Sequence, residues 1–152
     1  MRLSIVSFGH KRDELYAAAV AEYQKRIMKP WSLELVDKPS GRKSESESAL
    51  SVMKREAETI ASISSPWILD VLGAQVTTEQ LAEQLRAALD QGQKEIAFVI
   101  GGADGIDEEI KRRAQKRLSL SKLTLPHRLA RVLLIEQIYR AQTILRGEKY
   151  HK

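Results

Sequence analysis

The chain has 152 residues, 43% of them hydrophobic and 30% charged, a balance that suits one folded domain over 1–152 and excludes a disordered tail or repeat array. It contains no cysteine, which removes disulfides, thiolate metal sites, iron–sulfur clusters and thiol nucleophiles. Twenty-five Lys and Arg against twenty Asp and Glu leave a net charge of +5, compatible with a polyanionic partner, and no apolar run approaches the roughly 18 residues of a membrane span.

Residues 3–8 are short, apolar and β-prone, and Gly9 follows them. The polar, charged stretch 9–14 interrupts the apolar start too early for a signal peptide, so the segment reads as a first strand. Leu15, Ala19, Tyr23 and Ile27 recur at helical steps until Pro30, and Trp31, Leu33 and Leu35 then alternate as in a half-buried strand. The segment 38–48 reads as a mobile basic loop leading into a capped helix with Leu50, Met53, Ala57 and Ile60 on its inner face. Residues 67–72 have the density of a strand covered on both faces and ended by Gly73.

Thr77 or Thr78 caps the next helix, which buries Leu81, Leu85, Ala88 and Leu89 and stops at Gly92. Residues 96–100 form another buried strand running into Gly101-Gly102-Ala103-Asp104-Gly105. A helix over about 107–117 is expected next, then strand or extended loop over 118–125, and a last helix introduced by Pro126 and His127 with Leu129, Val132, Leu133 and Ile138 inside. Strands alternating with helices predict an α/β fold with a mostly parallel sheet and helices on both faces. Ligands in such sheets gather beyond the carboxyl ends of strands, which singles out Gly73, the Gly101 turn and the Leu125-Pro126 turn.

The three glycines at 101–105 allow close backbone approach to a ligand, although a tight strand-to-helix connection is, from the residues alone, the slightly better account of them. Their spacing and late position do not fit a Rossmann site, and no Gly-Lys-Ser/Thr completes a phosphate loop. Five cations lie within 111–117, either as a solvated helix face or as a phosphate-contacting stripe beside His10, Lys11 and Arg12, the 38–43 segment or the tail. The three histidines show no metal-ligand spacing, and no nucleophile elbow is present. Arg131 or Arg140 paired with Glu136 would satisfy a charge set among apolar residues of the last helix. Tyr150 and His151 would fray, or fold back to stack on a base or move a proton.

In order and position, the segment 98–105, the segment 118–127, the helix segment 131–141 and terminal Tyr150-His151 resemble the RlmH-type family of SPOUT methyltransferases. The resemblance runs the full length, with Lys152 where family members often carry Arg. It implies a C-terminal trefoil knot, a cytoplasmic homodimer, no metal, and methylation of N3 of a pseudouridine in helix 69 of 23S ribosomal RNA on the ribosome. S-adenosylmethionine is the implied donor, contacted by Leu69, Gly101, Leu120, Ser121, Lys122, Leu123, Thr124 and Leu125. The implied catalytic group comprises His127, Arg131, Glu136, Arg140, Tyr150 and His151, with His127, His151 and the nearby arginines the candidates for removing the N3 proton or stabilising the resulting anion. A single displacement at a sulfonium methyl needs alignment more than a covalent nucleophile, which agrees with the lack of one. The composition alone also accommodates a non-catalytic basic RNA-binding module or, ranked last, a flavodoxin-like nucleotide binder.

Overall fold

The computed structural model describes residues 1–9, 14–40, 44 and 46–151. His10, Lys11, Arg12, Arg42, Lys43 and Lys152, part of the expected basic surface, lie outside the described residues. The elements are β1 (Arg2–Phe8), α1 (Glu14–Arg26), β2 (Ser32–Lys38), α2 (Ala49–Ala61), β3 (Pro66–Gln75), α3 (Thr78–Asp90), β4 (Glu95–Ile100), α4 (Glu108–Arg113), β5 (Lys116–Ser119) and α5 (His127–Leu145). The five strands form one sheet in the order β2-β1-β4-β3-β5, and every pairing is parallel. An all-parallel sheet must bury both faces, and its two-residue period sorts the side chains accordingly. Leu3, Ile5, Trp67, Ile96 and Phe98 face α1, α3 and α5, while Val6, Phe8, Ile68, Ala97 and Val99 face α2 and α4.

Helix starts follow local chemistry. Ser48 accepts from the Ser51 N–H ahead of α2, Thr77 and Gln80 form a reciprocal capping box on α3, and Asp107 accepts from the Glu109 and Ile110 N–H groups of α4. Inner faces depart from the sequence expectation where polar residues turn inward. On α2 the buried row is Val52, Glu56 and Ile60, with Leu50 exposed, because the Glu56 carboxylate finds hydrogen bonds inside. On α5 it includes Arg131, Leu134, Ile135, Ile138, Ala141 and Gln142, with Leu133 turned toward solvent. Gln142 earns its place through Met28, donating to its carbonyl and accepting from its N–H. Leu15, expected inside, is also exposed.

The helix expected over about 107–117 ends at Arg113, and Lys116 and Arg117 belong to β5 instead. Sheet pairing overrides helical propensity there: the Gln115 N–H donates to the Pro66 carbonyl at 3.0 Å and β5 aligns with β3. The five cations are therefore split, with Lys116 over the Trp67 ring, Arg117 on Asp70 and Arg113 on Glu109.

Nor does β3 stop at Gly73. Leu69 and Ala74 both pair with Leu118, so residues 70–73 are extra on the β3 side and swing outward, leaving Val71 and Leu72 exposed rather than covered. Gly73 permits this because a Cβ there would lie 2.7 Å from the carbonyl carbon and 2.8 Å from the nitrogen of Leu118. Gly73→Val is expected to cost about 2–3 kcal/mol, seen as a lower urea midpoint with an unchanged slope. A midpoint equal to that of the wild type would contradict the close approach.

Candidate active site

The bulge in β3, the turn after β4 and the segment between β5 and α5 converge at one end of the sheet on a cleft of about 190 Å³. Leu69, Asp70 and Val71 form one wall, and Ile100, Gly101, Gly102, Gly105 and Ile106 form the second. The third comes from Ser119, Leu120, Ser121, Leu123 and Leu125, with His127 at the start of α5. Residues 120–126 have no helix or strand pairing to hold them. Two serines supply the local order: Ser119 Oγ donates to the Ser121 carbonyl at 2.8 Å, and Ser121 Oγ accepts from the Leu123 N–H at 2.9 Å. A Cβ on Gly101 would collide with Ile106, so the bare glycine lets Ile106 close the back of the cleft.

Two charged groups, Asp70 and Lys111, stand in this otherwise largely apolar lining. Asp70 accepts from Arg117 at 2.5 Å and from the Leu72 N–H at 3.3 Å, and Lys111 Nζ lies 3.8 Å away. Burial pushes its carboxyl up, but the Arg117 and Leu72 hydrogen bonds and the two positive charges outweigh burial and hold it below its ordinary value. Asp70 is thus a fixed anion, and Lys111, which also lines the cleft, lies between it and Glu108, with which it pairs at 2.7 Å.

Six of the eight expected donor contacts line the cleft: Leu69, Gly101, Leu120, Ser121, Leu123 and Leu125. Lys122 and Thr124 lie between them in the chain but are exposed and not in the lining. Of the six catalytic candidates, His127 alone lines it. Arg131 is buried and bound to Asp37 of β2 at 2.7 Å, not to Glu136. Arg140 does pair with Glu136, both Nε and a terminal nitrogen donating to one carboxylate oxygen at 2.9 and 2.6 Å. Tyr150 joins that pair, donating to Glu136 at 3.2 Å, with the Arg140 guanidinium 4.6 Å from its ring centre. Burial first, then the Tyr23 hydroxyl and the Glu136 charge, hold the Tyr150 phenol well above its ordinary value, so it remains a proton donor near neutrality. His151 reaches Glu79 of α3 at 2.8 Å. The tail therefore folds back, but along α5 and onto α3. Glu136 lies nine residues beyond His127, about 14 Å along the helix.

Residues 1–151 match a family model described as a predicted SPOUT methyltransferase. The chain belongs to the SPOUT methyltransferase family. It is 43% identical over 161 residues to ribosomal RNA large subunit methyltransferase H of Anaeromyxobacter sp. (strain Fw109-5), with all of both chains covered. It is 41% identical over 160 residues to the protein of the same name in Anaeromyxobacter dehalogenans (strain 2CP-C), again covering both completely. In fold it resembles the structure of a probable methylase family protein from Haemophilus influenzae Rd KW20, with a TM-score of 0.52 at 16% identity, covering 99% of this chain and 70% of that one. A SPOUT methyltransferase transfers a methyl group from a donor, and the α/β architecture expected from the sequence is the one observed.

Several residues that shape this SPOUT cleft escaped the sequence reading: Asp70, Val71, Ile106, Lys111, and Glu56 behind the glycine turn. Glu56 left one trace, a carboxylate at the middle of the i, i+4 row Val52, Glu56, Ile60. Among the described residues no group of three or more potential ligands could hold a metal ion, and no helix is long and apolar enough to cross a membrane.

Hydrogen bonds from its own N–H, from Thr77 and from His151 hold the Glu79 carboxyl at about 2, below its ordinary 4.5. A depressed carboxyl contributes fully above its unfolded value and loses that contribution as pH falls through the folded one. The tail is therefore expected to release from α3 between about pH 4.5 and pH 2, followed by the NMR signals of Tyr150 and His151. Tail signals unchanged across that window would refute the docking.

Proposed function

We propose that this chain is an S-adenosylmethionine-dependent methyltransferase of large-subunit ribosomal RNA, acting in the cytoplasm on N3 of a pseudouridine in helix 69 of 23S RNA within the ribosome. The observation that carries this reading is the convergence of three strand ends on one apolar cleft in a chain of this family, full-length relatives of which are named for that RNA. The lining suits the donor: Ile100, Leu120 and Leu125 offer apolar surface for a purine, and Gly101 leaves backbone uncovered. Bound S-adenosylmethionine supplies a methyl group activated on a sulfonium. Leu69, Gly101, Leu120, Ser121, Leu123 and Leu125 would hold it, and the proposed trefoil knot would keep the 119–125 segment against the Gly101 turn.

The residues of this chain have three tasks: to align the nucleophilic nitrogen with the methyl carbon, to exclude water, and to take the N3 proton. The leucines and Ile106 exclude water. His127, which is exposed, lines the cleft and begins α5, would accept the proton at one ring nitrogen. Arg131, turned to Asp37, positions α5 against β2 rather than touching RNA. Glu136, Arg140, Tyr150 and His151 do not line the cleft of their own chain, so in this reading they serve that of a second copy in a homodimer, where Tyr150 donates a hydrogen bond and stacks.

Purified protein incubated with labelled S-adenosylmethionine and ribosomes should label one uridine-type base in large-subunit RNA. Ribosomes and isolated large subunits that both stay unlabelled would reject the activity, whether or not the protein binds RNA. The shared site has its own test. His127→Ala and Tyr150→Ala chains should each be nearly inactive as homodimers, while co-expression should restore about a quarter of wild-type turnover, since half of randomly paired dimers hold one intact site of two. No recovery in the mixture would overturn the two-chain arrangement.

A further inference from the structure

Glu56 is 3% exposed, on α2, behind the glycine turn and outside the cleft lining. Its Oε2 accepts from the Gly102 N–H at 3.1 Å, and its Oε1 accepts from the Ser40 hydroxyl beyond the end of β2. A Cβ on Gly102 would lie 2.5 Å from both Glu56 Oε1 and Ser40 Oγ, so the glycine exists to let this carboxylate approach. The strand order reverses at the β1–β4 boundary, where an open α/β sheet ordinarily leaves a crevice for a ligand. Here Glu56 and Ser40 fill the space beside the β4 end, and the cleft opens farther along, toward β3 and β5.

We propose that Glu56 is a positioning residue that sets the Gly101–Gly102 peptide in the orientation required for donor binding. A trans peptide is planar, with N–H and C=O pointing oppositely. Holding the Gly102 N–H toward α2 therefore directs the carbonyl of cleft-lining Gly101 away from Glu56. The other side of Gly102 is held as well, its carbonyl accepting from the Gly105 N–H at 3.1 Å. With both ends fixed, the turn offers one set of backbone groups to a ligand. An apolar residue at position 56 would pack equally well between Val52 and Ile60 but would leave the Gly102 N–H unpaired and the peptide free to rotate. This role rests on the donor reading of the cleft.

The test is calorimetric binding of S-adenosylmethionine and S-adenosylhomocysteine to the full chain, compared for wild type, Glu56→Ala, Glu56→Asp and Glu56→Gln. Loss of a hydrogen bond to a charged acceptor should weaken donor binding at least about tenfold in Glu56→Ala, and in Glu56→Asp, whose carboxylate is withdrawn by one methylene. Glu56→Gln can still accept from Gly102 and donate to Ser40, and should bind within about threefold of wild type. With ribosomes as substrate, the donor KM should rise in the Asp variant while kcat at saturating donor changes little. Should Glu56→Ala fail to fold, the contrast between Asp and Gln decides. Wild-type affinity in Glu56→Asp, or a Gln variant as weak as Asp, would overturn the role of Glu56. A wild-type chain that binds neither compound would overturn the donor reading itself.

Discussion

Leu118 meets β3 twice, pairing with Leu69 and again with Ala74, and the cleft depends on that double contact. Four residues of β3 are displaced outward between the two pairings, which brings Asp70 and Val71 to the cleft wall. The same pairing draws Lys116 and Arg117 out of α4 into β5, so that Arg117 reaches Asp70 and the 119–125 segment begins beside the Gly101 turn. One backbone arrangement thus places two of the three walls, and it is possible only because position 73 carries no side chain.

Charge around the cleft is held in place rather than left mobile. Asp70 faces Arg117 and Lys111, Arg131 is committed to Asp37, and Arg140 to Glu136. Partly buried ion pairs of this kind contribute little net stability, since desolvation and solvent screening offset much of their attraction. Their effect is to set directions: the bulge is tied to β5, α5 to β2, and Tyr150 to the middle of α5. Two of the exposed apolar residues, Val71 and Leu123, line the cleft and are half or more solvent-accessible.

The division of labour fits methyl transfer from an activated donor. Such a reaction asks for a dry, shaped cradle and an accessible proton acceptor more than for a tuned nucleophile. In the proposed reading, leucines and bare backbone would form that cradle and His127 would be the acceptor; all line the cleft of one chain, while the tyrosine-arginine cluster lies outside that lining.

The alternation of apolar segments and helical periods determined the α/β class and the approximate places of the first four strands, and pointed to the carboxyl ends where the cleft lies, because those depend on patterns two to four residues long. The motif order from the late glycine turn to Tyr150-His151 likewise carried the family. Tertiary structure alone decided which faces turn inward: Glu56 and Arg131 are buried where periodicity favoured leucines, since their partners, Gly102 and Asp37, are 46 and 94 residues away in sequence. It also decided the end of α4 and the bulge in β3, where long-range strand pairing prevailed over local helix preference and over a glycine that read as a terminator. Arg131 and His127 are four residues apart and share one face of α5, yet one is buried against Asp37 of β2 and the other lines the cleft, because a full turn separates them along the axis: His127 is the first residue of the helix, at the cleft, and Arg131 sits one turn deeper over the sheet.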